Sequence, residues 1–367
     1  MPRSRQTHFF AYMPRVNATA RQRAYLVAEG LAERGDSLVR VHAPLRDSGY
    51  SRYLIPSGIL DKSLWLVEML VRRSVQVLRV PRGSVVVIQR ELLPVGPATL
   101  ERVLRRKASQ LIVDIDDATY AFAESRPHSR AGRMLLTEGK FDHLCTLADL
   151  VVCGNDELAM RASRSARAVT VIPTSLEFPP MPDELPGRND GALRLGWLGN
   201  PGNLSSLATL AEPIRRLRAK GLDVRLHVMS ARNPTAPETD GLDVEFVRWG
   251  LEEEDLFLSS VDVGVMPLTN DEYSRGKCGF KLLRYIAAGV PVMGSPVGVN
   301  AEILQGGANG VVVGGRGAWE AAITQFASMS RAQRSEMAQH AYEWACSRYS
   351  LAPAVAAWRA VLWGESV

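Results

Sequence analysis

The chain has 367 residues, of which 46% are hydrophobic and 23% are charged. At roughly 150 residues per domain, this length predicts about two domains, and the apolar content excludes a largely disordered protein. The sequence has no run of about 18 apolar residues and no long apolar stretch near its first residue, so we expect neither a spanning helix nor a signal peptide. We therefore expect a cytoplasmic protein.

Charge is divided unevenly along the chain, whose net charge is +5. Residues 1–175 hold 26 Lys and Arg against 17 Asp and Glu, a net +9, whereas residues 176–367 hold 18 against 22, a net −4. This division predicts two halves with different tasks, the basic half facing an anionic partner or surface. The four cysteines lack metal-binding spacing, so we expect reduced thiols and no metal centre.

Short β-branched runs alternate with amphipathic stretches in the first half of the chain. Six runs predict strands: His8–Met13, Leu38–His42, Val85–Gln89, Leu111–Ile115, Leu150–Cys153 and Val169–Pro173. Most of these runs are continuously apolar, as strands covered on both faces are. A helix is predicted over Ala20–Arg34, ending at Gly35. This order predicts an α/β domain with a doubly wound parallel sheet.

The stretch Leu64–Leu78 predicts an amphipathic helix. Its apolar face comprises Leu64, Val67, Leu70, Val71, Val75 and Leu78, and its polar face comprises Arg72, Arg73, Gln76 and Arg79. The interpretation we favour is a helix that covers the first sheet with its apolar face. The alternative is a helix that contacts an anionic membrane at the inner face of the bilayer.

A proline-rich segment predicts a linker over 177–192, after which the strand pattern resumes. The predicted strands are Leu193–Leu198, Val224–Met229, Val244–Arg248, Val263–Met266, Val290–Met293 and Val311–Val313. We therefore predict domains at 1–176 and 193–340, with helical residues 341–367 crossing back to the first domain. Ligands are expected in a cleft bordered by the carboxyl ends of the two sheets.

The first strand of the second half leads directly into the glycine loop Gly199–Asn203 and then a helical pattern. Glycine lets the backbone approach a ligand, and a following helix N-terminus offers N–H groups to an anion. The alternative is an ordinary turn with Asn203 as the helix N-cap. Pro213 lies within the helical pattern and predicts a kink or a restart of the helix.

The segment 273–285 contains a cluster of basic residues. If a helix begins near Lys277, then Lys277, Lys281 and Arg284 share one face without an acid among them. Like charges at this spacing repel, and a nucleoside diphosphate bound there would reverse the penalty. The alternative is a solvated basic face paired with Asp271 or Glu272.

Several segments of the second half together resemble the nucleotide-sugar domain of GT-B glycosyltransferases, in particular the retaining family 4, also called group 1. These segments are residues 196–201, 261–268, 275–285 and 287–292. In the first half, residues 113–118, 152–158 and 171–174 resemble sequence motifs of the first domain of that family. The resemblance implies two Rossmann-like domains that face a cleft, an acceptor domain first and a donor domain second. It implies a nucleotide-sugar-dependent hexosyltransferase that acts with retention and needs no metal or other cofactor.

The resemblance also implies roles for individual residues of the donor domain. Gly199 and Asn200 would border the phosphates and sugar, and Arg275 or Lys277 would hold the diphosphate together with Lys281. Gly298, Val299, Asn300 and Glu302 would lie beside the nucleotide. The family often carries two glutamates at positions that read Gly276 and Arg284 here, so we expect Glu302 to bind the ribose instead.

In the first domain, the resemblance implies acceptor contacts from Arg15, Asn17 and Arg21. Thr19 as a plain helix N-cap is the alternative for that loop. Arg90 follows another predicted strand, and we expect it to line the acceptor side of the cleft as well. Asp116 or Asp117 is predicted to take the proton of the acceptor hydroxyl, because neighbouring carboxylates raise one another's pKa. The alternative is a structural aspartate that caps the next helix. No enzyme nucleophile is assigned, since the departing phosphate oxygen assists in this family.

The predicted function is sugar transfer from a nucleoside-diphosphate sugar to an acceptor hydroxyl in glycan, glycolipid or glycosylated-metabolite biosynthesis. The acceptor would be a sugar, a lipid-linked glycan or a small alcohol. The alternatives are a catalytically silent glycosyltransferase-like partner protein and a GT-B nucleotide-sugar epimerase. No nucleic-acid partner is expected, because the arginines are dispersed and form no reader motif.

Overall fold

The computed structural model describes residues 6–33, 38–47, 50, 58–118, 120–121, 139–184, 191–315 and 317–364. The chain divides into two compact units. Unit 1 comprises residues 1–175, 276–278 and 351–367, and unit 2 comprises residues 176–275 and 279–350. The segment that joins unit 1 from the end of the chain thus begins at Leu351 and not at residue 341 as we predicted.

Unit 1 is built on a six-stranded parallel sheet in the order β2-β1-β3-β4-β5-β6. The strands are β1 (Thr7–Phe10), β2 (Val39–His42), β3 (Val85–Gln89), β4 (Gln110–Ile115), β5 (Leu150–Cys153) and β6 (Val169–Val171). Its helices are α1 (Ala18–Ala20), α2 (Leu26–Ala32), α3 (Ile59–Arg79), α4 (Thr99–Lys107), α5 (Lys140–Leu147) and α6 (Asp156–Ala162). The C-terminal helix of the chain, Leu351–Trp363, also belongs to this unit and buries Trp358 against Phe9.

Unit 2 is built on a second parallel sheet in the order β12-β11-β10-β7-β8-β9. The strands are β7 (Leu193–Leu198), β8 (Val224–Ser230), β9 (Glu245–Arg248), β10 (Val263–Met266), β11 (Val292–Gly294) and β12 (Val311–Val312). The helices are α7 (Ala208–Ala219), α8 (Ala236–Thr239), α9 (Leu251–Ser260), α10 (Glu272–Arg275), α11 (Phe280–Ala287), α12 (Val299–Leu304), α13 (Ala318–Ser328) and α14 (Arg331–Tyr349). The helix Leu351–Trp363 of unit 1 follows as α15.

Each of the twelve predicted strands is present, because continuous apolar runs identify strands that are buried on both faces. The helices differ more from prediction. The helix expected over Ala20–Arg34 contains a π-helical turn at Arg21–Tyr25 between α1 and α2, and Gly35 lies outside the described residues. A 3₁₀ segment, Pro201–Leu207, precedes α7, which runs through Pro213 without a restart.

Helix α3 packs on unit 1 through the face opposite to the one we predicted. Met69, Arg73 and Val77 are buried, whereas the apolar face that we expected to cover the sheet is exposed. The Arg73 guanidinium donates hydrogen bonds to the carbonyl oxygens of His42 at 2.9 Å and Leu92 at 3.2 Å, and also to that of Ala11. Within the described parts of the chain, no helix has the length and apolarity needed to span a bilayer.

The strand orders place a topological switch point in each sheet. In unit 1 it lies between β1 and β3, and in unit 2 it lies between β7 and β10. At each point, the connections that follow the two neighbouring strands lead to opposite sides of the sheet. Ligands bind outside the carboxyl ends of strands at such points. Three loops that carry predicted site residues follow these strands directly: 11–17 and 90–91 in unit 1 and 199–203 in unit 2.

Candidate active site

Arg90 follows β3 and holds two of the aspartates that follow β4. Its φ of 58° lies in the left-handed region, which costs a residue other than glycine about 1–2 kcal/mol. Its Nε donates to Asp116 Oδ1 at 2.6 Å and its Nη2 to Asp116 Oδ2 at 2.9 Å, while Asp117 Oδ2 lies 3.6 Å from Nη2. The guanidinium also lies 4.9 Å from the centre of the Tyr12 ring. Arg90 therefore positions these carboxylates, and its predicted contact with an acceptor stays a prediction.

Asp114, the first aspartate of the cluster, is paired with a different arginine. Arg23 Nε donates to Asp114 Oδ2 at 2.9 Å, and both side chains are 2% exposed. Arg23 Nη2 also donates to Asp114 Oδ1, and Nη1 donates to the Ile172 carbonyl oxygen and to Thr174 Oγ1, each at 3.0 Å. Burial raises the pKa of Asp114 and Arg23 opposes that rise. This buried pair ties the π-helical turn Arg21–Tyr25, β4 and the end of β6 together.

We expected the neighbouring carboxylates to raise one another's pKa, and the pKa values of Asp116 and Asp117 shift in opposite directions. Burial acts to raise the pKa of Asp116, but the Arg90 guanidinium outweighs it and holds that pKa below its ordinary value. Burial raises the pKa of Asp117, and the charge of Asp116 adds to the rise while Arg90 opposes it. The Asp117 side chain is 24% exposed, against 4% for Asp116. Of the two predicted bases, Asp117 is the more accessible and the more basic.

The loop after β1 holds two of the predicted acceptor residues. Asn17 Oδ1 accepts from the Ala20 N–H at 3.0 Å and its Nδ2 donates to the Tyr50 hydroxyl at 2.8 Å. Asn17, and not Thr19, therefore caps α1. The exposed Arg15 forms an ion pair with Glu29 of α2.

Arg21, the third acceptor candidate in this region, opens the π-helical turn. Such turns insert one residue into a helix and occur often at functional sites. This turn also carries Arg23, which is paired with Asp114. Unit 1 thus brings the loop after β1, Arg90 and the aspartates to the same edge of its sheet, because β1, β3 and β4 are neighbours.

Residues 276–278 belong to unit 1, so Lys277 is separated from the helix in which we placed it. Asn155 Nδ2 donates to the carbonyl oxygens of Gly276 and Lys277, each at 3.1 Å, and Cys278 Sγ donates to the Asp116 carbonyl at 2.9 Å. A Cβ at Gly276 would lie 2.5 Å from Ala118 Cβ, so this position has no room for a glutamate. The positive charge of Lys277 acts to lower the pKa of Asp117.

In unit 2, Gly199, Trp197 and Lys281 meet at the carboxyl end of β7. The Lys281 ammonium lies 3.8 Å from the centre of the Trp197 ring. A Cβ at Gly199 would lie 2.7 Å from Lys281 Nζ and 2.9 Å from Trp197 Cη2, so the absence of a side chain is what admits the lysine here. The exposed Asn200 follows in the same loop.

Helix α11 begins at Phe280, three residues later than the predicted start at Lys277. Gly279 precedes it with a φ of 65°, in the left-handed region. Arg284 is not part of a shared basic face, because its Nε donates to Glu254 at 2.6 Å and its Nη2 to Asp255 at 2.7 Å. The acids that balance it come from α9, and not from Asp271 or Glu272 as the alternative proposed. Of the three cations in the predicted cluster, Lys281 alone lies on α11 beside the glycine loop.

The remaining donor candidates lie around the ends of α10 and α12. Gly298 has a φ of 55°, and a Cβ there would lie 2.3 Å from the Arg275 carbonyl oxygen, so these two backbones touch. A Cβ at Gly279 would lie 2.9 Å from Val299 and 3.4 Å from Asn300 Oδ1, which places α12 beside the start of α11. Glu302 is exposed, and its Oε1 accepts from the Tyr349 hydroxyl at 3.2 Å.

Sequence reasoning missed three residues that shape these two edges. Trp197 lies under the Lys281 ammonium, Tyr12 lies beside the Arg90 guanidinium, and Arg23 neutralises Asp114. Trp197 and Tyr12 each lie close to the end of a strand that borders a switch point, and that position was a usable signal. Arg23 gave no signal, because it lies among many arginines in a helical pattern.

The fold is similar to that of GT-B glycosyltransferases of known structure. Sucrose-phosphate synthase from Thermosynechococcus elongatus aligns over 97% of this chain and 98% of its own, with a TM-score of 0.68 and 13% identity. Anabaena Alr3699/HepE, solved with UDP and glucose, aligns over 98% and 100%, with a TM-score of 0.62 and 12% identity. WaaG, a glycosyltransferase involved in lipopolysaccharide biosynthesis, aligns over 98% of this chain and 100% of its own, with a TM-score of 0.62 and 13% identity. The predicted GT-B fold is confirmed.

The family is indicated by unit 2. Residues 192–328, from β7 to α13, match the family described as Glycosyl transferases group 1. The predictions of a group 1 resemblance and of a nucleotide-sugar glycosyltransferase are thereby confirmed. The sequence matches none of the curated proteins.

Proposed function

We propose that this protein transfers a sugar from a nucleoside-diphosphate sugar to an acceptor hydroxyl with retention of configuration, the donor binding to unit 2 and the acceptor to unit 1. The observation that carries this proposal is the Lys281 ammonium beside Gly199 at the carboxyl end of β7. A cation at a switch point, next to a loop without side chains, suits a diphosphate.

Helix α11 supports the donor site through its backbone. In the described part of unit 2, no side chain caps its first turn, so the N–H groups there are available to donate hydrogen bonds to the oxygens of an anion. Lys281 lies in that turn and adds a full positive charge to the partial charge of the helix end. Arg275 is the last residue of α10, and its backbone contacts Gly298.

Glu302 is the proposed ribose ligand. Its carboxylate is exposed and accepts one hydrogen bond, from the Tyr349 hydroxyl, which leaves acceptor capacity for ribose hydroxyls. This replaces the glutamate that the family often carries where Arg284 stands, since Arg284 is bound to Glu254 and Asp255. UDP is the first nucleotide to test, because the Anabaena relative was solved with UDP and glucose.

Asp117 is the proposed base for the acceptor hydroxyl. In the reaction the acceptor oxygen bonds to the anomeric carbon, the bond from that carbon to the diphosphate breaks, and the acceptor proton passes to Asp117. A raised pKa and a partly exposed side chain suit a carboxylate to accept a proton, whereas Asp116 is held ionised by Arg90. Asp116 and Arg90 would position Asp117, and no residue is proposed as nucleophile.

The proposed reaction uses fixed cations to balance the leaving diphosphate, in place of a metal ion. Lys281 and the first turn of α11 would stabilise the charge that develops as the donor bond breaks. EDTA treatment is therefore expected to leave sugar transfer unchanged. Loss of activity with EDTA and its return on adding Mg²⁺ would contradict this part of the proposal.

A panel of donors tests the proposal directly. The purified protein is incubated with UDP-, GDP-, ADP- and TDP-sugars, and release of the nucleoside diphosphate is followed with acceptor sugars and with water as acceptor. We expect release from one donor and loss of that release in Lys281→Met. Tight nucleotide binding without release from any donor would favour the catalytically silent partner protein. A nucleotide-sugar epimerase would convert the sugar of the donor into its epimer without an acceptor, and Gly276 has no room for the carboxylate that this chemistry requires.

A further inference from the structure

Helix α3 presents its apolar face to solvent. Leu60, Leu64, Val67, Val71, Val75 and Leu78 recur at helical spacing and are 40–81% exposed. We call these six residues the α3 stripe. Isolated exposed apolar side chains are common on soluble proteins, but a continuous row from Leu60 to Leu78 along one helix is not. The row therefore requires an explanation beyond the packing of unit 1.

The orientation of α3 is fixed by polar contacts on its inner face. The fully buried Arg73 guanidinium donates to backbone carbonyls of three other segments, and Gln76 Nε2 donates to the Ala43 carbonyl at 2.8 Å. Turning the stripe inward would remove the partners of these buried carbonyls, and each buried polar group left unsatisfied costs about 1–3 kcal/mol. Outward presentation of the stripe is thus built into the fold.

Cations gather at the carboxyl end of the same helix. Lys107 Nζ donates to the carbonyl oxygens of Val77 and Leu78, at 2.9 and 2.7 Å. Arg82 lies in the following turn, which is joined to Lys107 by the hydrogen bond from Gly83 N–H to the Lys107 carbonyl. The exposed side chains of Arg79 and Arg106 flank this corner in sequence. An apolar row thus ends in a group of four positive charges, within a half of the chain whose net charge is +9.

The shape of the stripe distinguishes between two partners. At 1.5 Å per residue it is about 27 Å long, and at about 10 Å wide it offers roughly 300 Å². A stable dimer buries about 800 Å² on each partner, so a second copy seated on the stripe alone would gain too little area. A helix binds to a lipid interface through a narrow apolar row beside cations. Unlike a second protein, the bilayer does not have to present a surface of complementary shape.

We propose that α3 lies in the interface of an anionic lipid bilayer, with the stripe among the acyl chains and the Arg79, Arg82, Arg106 and Lys107 corner against acidic headgroups. The helix would lie parallel to the surface, consistent with the absence of a membrane-spanning helix among the described residues. This inference depends on unit 1 alone and does not require the proposed sugar transfer.

Vesicle flotation tests the proposal with the full-length chain. The protein is mixed with vesicles of equal parts phosphatidylcholine and phosphatidylglycerol, or of phosphatidylcholine alone, without any nucleotide. We expect co-flotation with the anionic vesicles, weaker flotation at high salt and at least about tenfold weaker binding to the neutral ones. The double variant Leu64→Gln, Val71→Gln should lose at least about tenfold in binding, since both side chains are exposed and fold stability should be kept.

Two controls make the outcome decisive. Leu256→Gln changes an equally exposed leucine in unit 2 and should float like the unmodified protein. Arg79→Glu, Arg82→Glu keeps the stripe and should remove the preference for anionic vesicles. Flotation that is absent in the unmodified chain, or unchanged in the stripe variant, would overturn the proposal. So would a concentration-dependent dimer by light scattering that the stripe variant abolishes, because the stripe would then bind a second copy.

Discussion

The two units use one type of sheet in different ways at their switch points. In unit 1, the edge of the sheet is occupied by the chain's own ion pairs, Arg23 with Asp114 and Arg90 with Asp116. In unit 2, the corresponding edge carries glycines, and Lys281 lies over an aromatic ring beside Gly199. The half with the larger positive charge thus pairs Arg23 and Arg90 with its own aspartates, and the acidic half presents the lysine that we assign to the donor.

This difference shows that net charge is a poor guide to where an anion binds. The +9 of residues 1–175 is a sum over the whole half, whereas binding depends on a few charges and on what already contacts them. A cation that is held by two hydrogen bonds to a buried carboxylate has little left to offer a ligand. The comparison predicts that cation removal damages folding in unit 1 and ligand binding in unit 2.

The largest effect is expected from Arg23→Met. This variant leaves the Asp114 carboxylate buried without its guanidinium, which should cost about 3–5 kcal/mol of folding free energy. Thermal or urea unfolding measures the loss. The double variant Arg23→Met, Asp114→Asn should regain part of it, since no unpaired charge stays buried. A double variant as unstable as the single one would contradict the assignment of this pair.

Asp117→Asn is expected to lower kcat/KM by about 10²–10³-fold, because the amide cannot accept the acceptor proton. In the unmodified enzyme, activity should fall as pH drops through the raised pKa of Asp117, since protonation removes the base. That acid limb should lie above the ordinary aspartate value of 3.8 and should be absent from the residual activity of the variant. Unchanged kcat/KM in a folded Asp117→Asn protein would exclude this base.

Acid should destabilise unit 1 through a histidine pair on β1 and β2. His8 Nδ1 and His42 Nε2 are 2.9 Å apart, and burial lowers the pKa of each from 6.5 to about 4. Stability is therefore complete above pH 6.5 and is lost as pH falls towards 4, by about 1–3 kcal/mol per histidine. Melting temperatures at neutral and acidic pH measure the loss. His42→Gln should flatten this dependence, and His143→Gln should not.

A smaller effect is expected from Gly199→Ala. The added methyl group would lie 2.7 Å from Lys281 Nζ and would displace the ammonium, so nucleotide affinity should fall about tenfold, equivalent to about 1.4 kcal/mol. Gly202→Ala in the same loop is the matched control, since nothing lies within 4 Å of its added Cβ. Isothermal calorimetry separates the two. Equal losses in both variants would point to loop stiffness and away from Lys281.

The sequence predicted the strands and the loops after them. The predictions failed for features that depend on tertiary packing, such as the start of α11 and the ion-pair partners of Arg284. Continuous apolar runs and the glycine loop after β7 are local signals, and both were identified correctly. The start of α11 was missed because Gly279 takes a left-handed conformation, which no local pattern required. The partners of Arg284 lie about 30 positions away on α9, beyond the reach of helical spacing.

The orientation of α3 was also beyond reach, and for a different reason. Amphipathicity normally directs the apolar face inward, and here Arg73 reverses it by satisfying carbonyls of three distant segments. The hydrogen-bond requirements of buried backbone groups decided the orientation. A pattern of apolar residues shows that a helix has two faces, and not which of them the fold will cover.

Calorimetry of nucleotide binding to Lys281→Met tests the central claim most directly. UDP, GDP, ADP and TDP are titrated into the unmodified protein, into Lys281→Met, and into Arg284→Met as a control on the same helix, whose guanidinium is held by Glu254 and Asp255. We predict binding of one nucleotide, at least tenfold weaker in Lys281→Met and nearly unchanged in Arg284→Met, since a charge-assisted bond to phosphate contributes about 1.5–3 kcal/mol. Equal affinity of Lys281→Met and the unmodified protein would contradict the account.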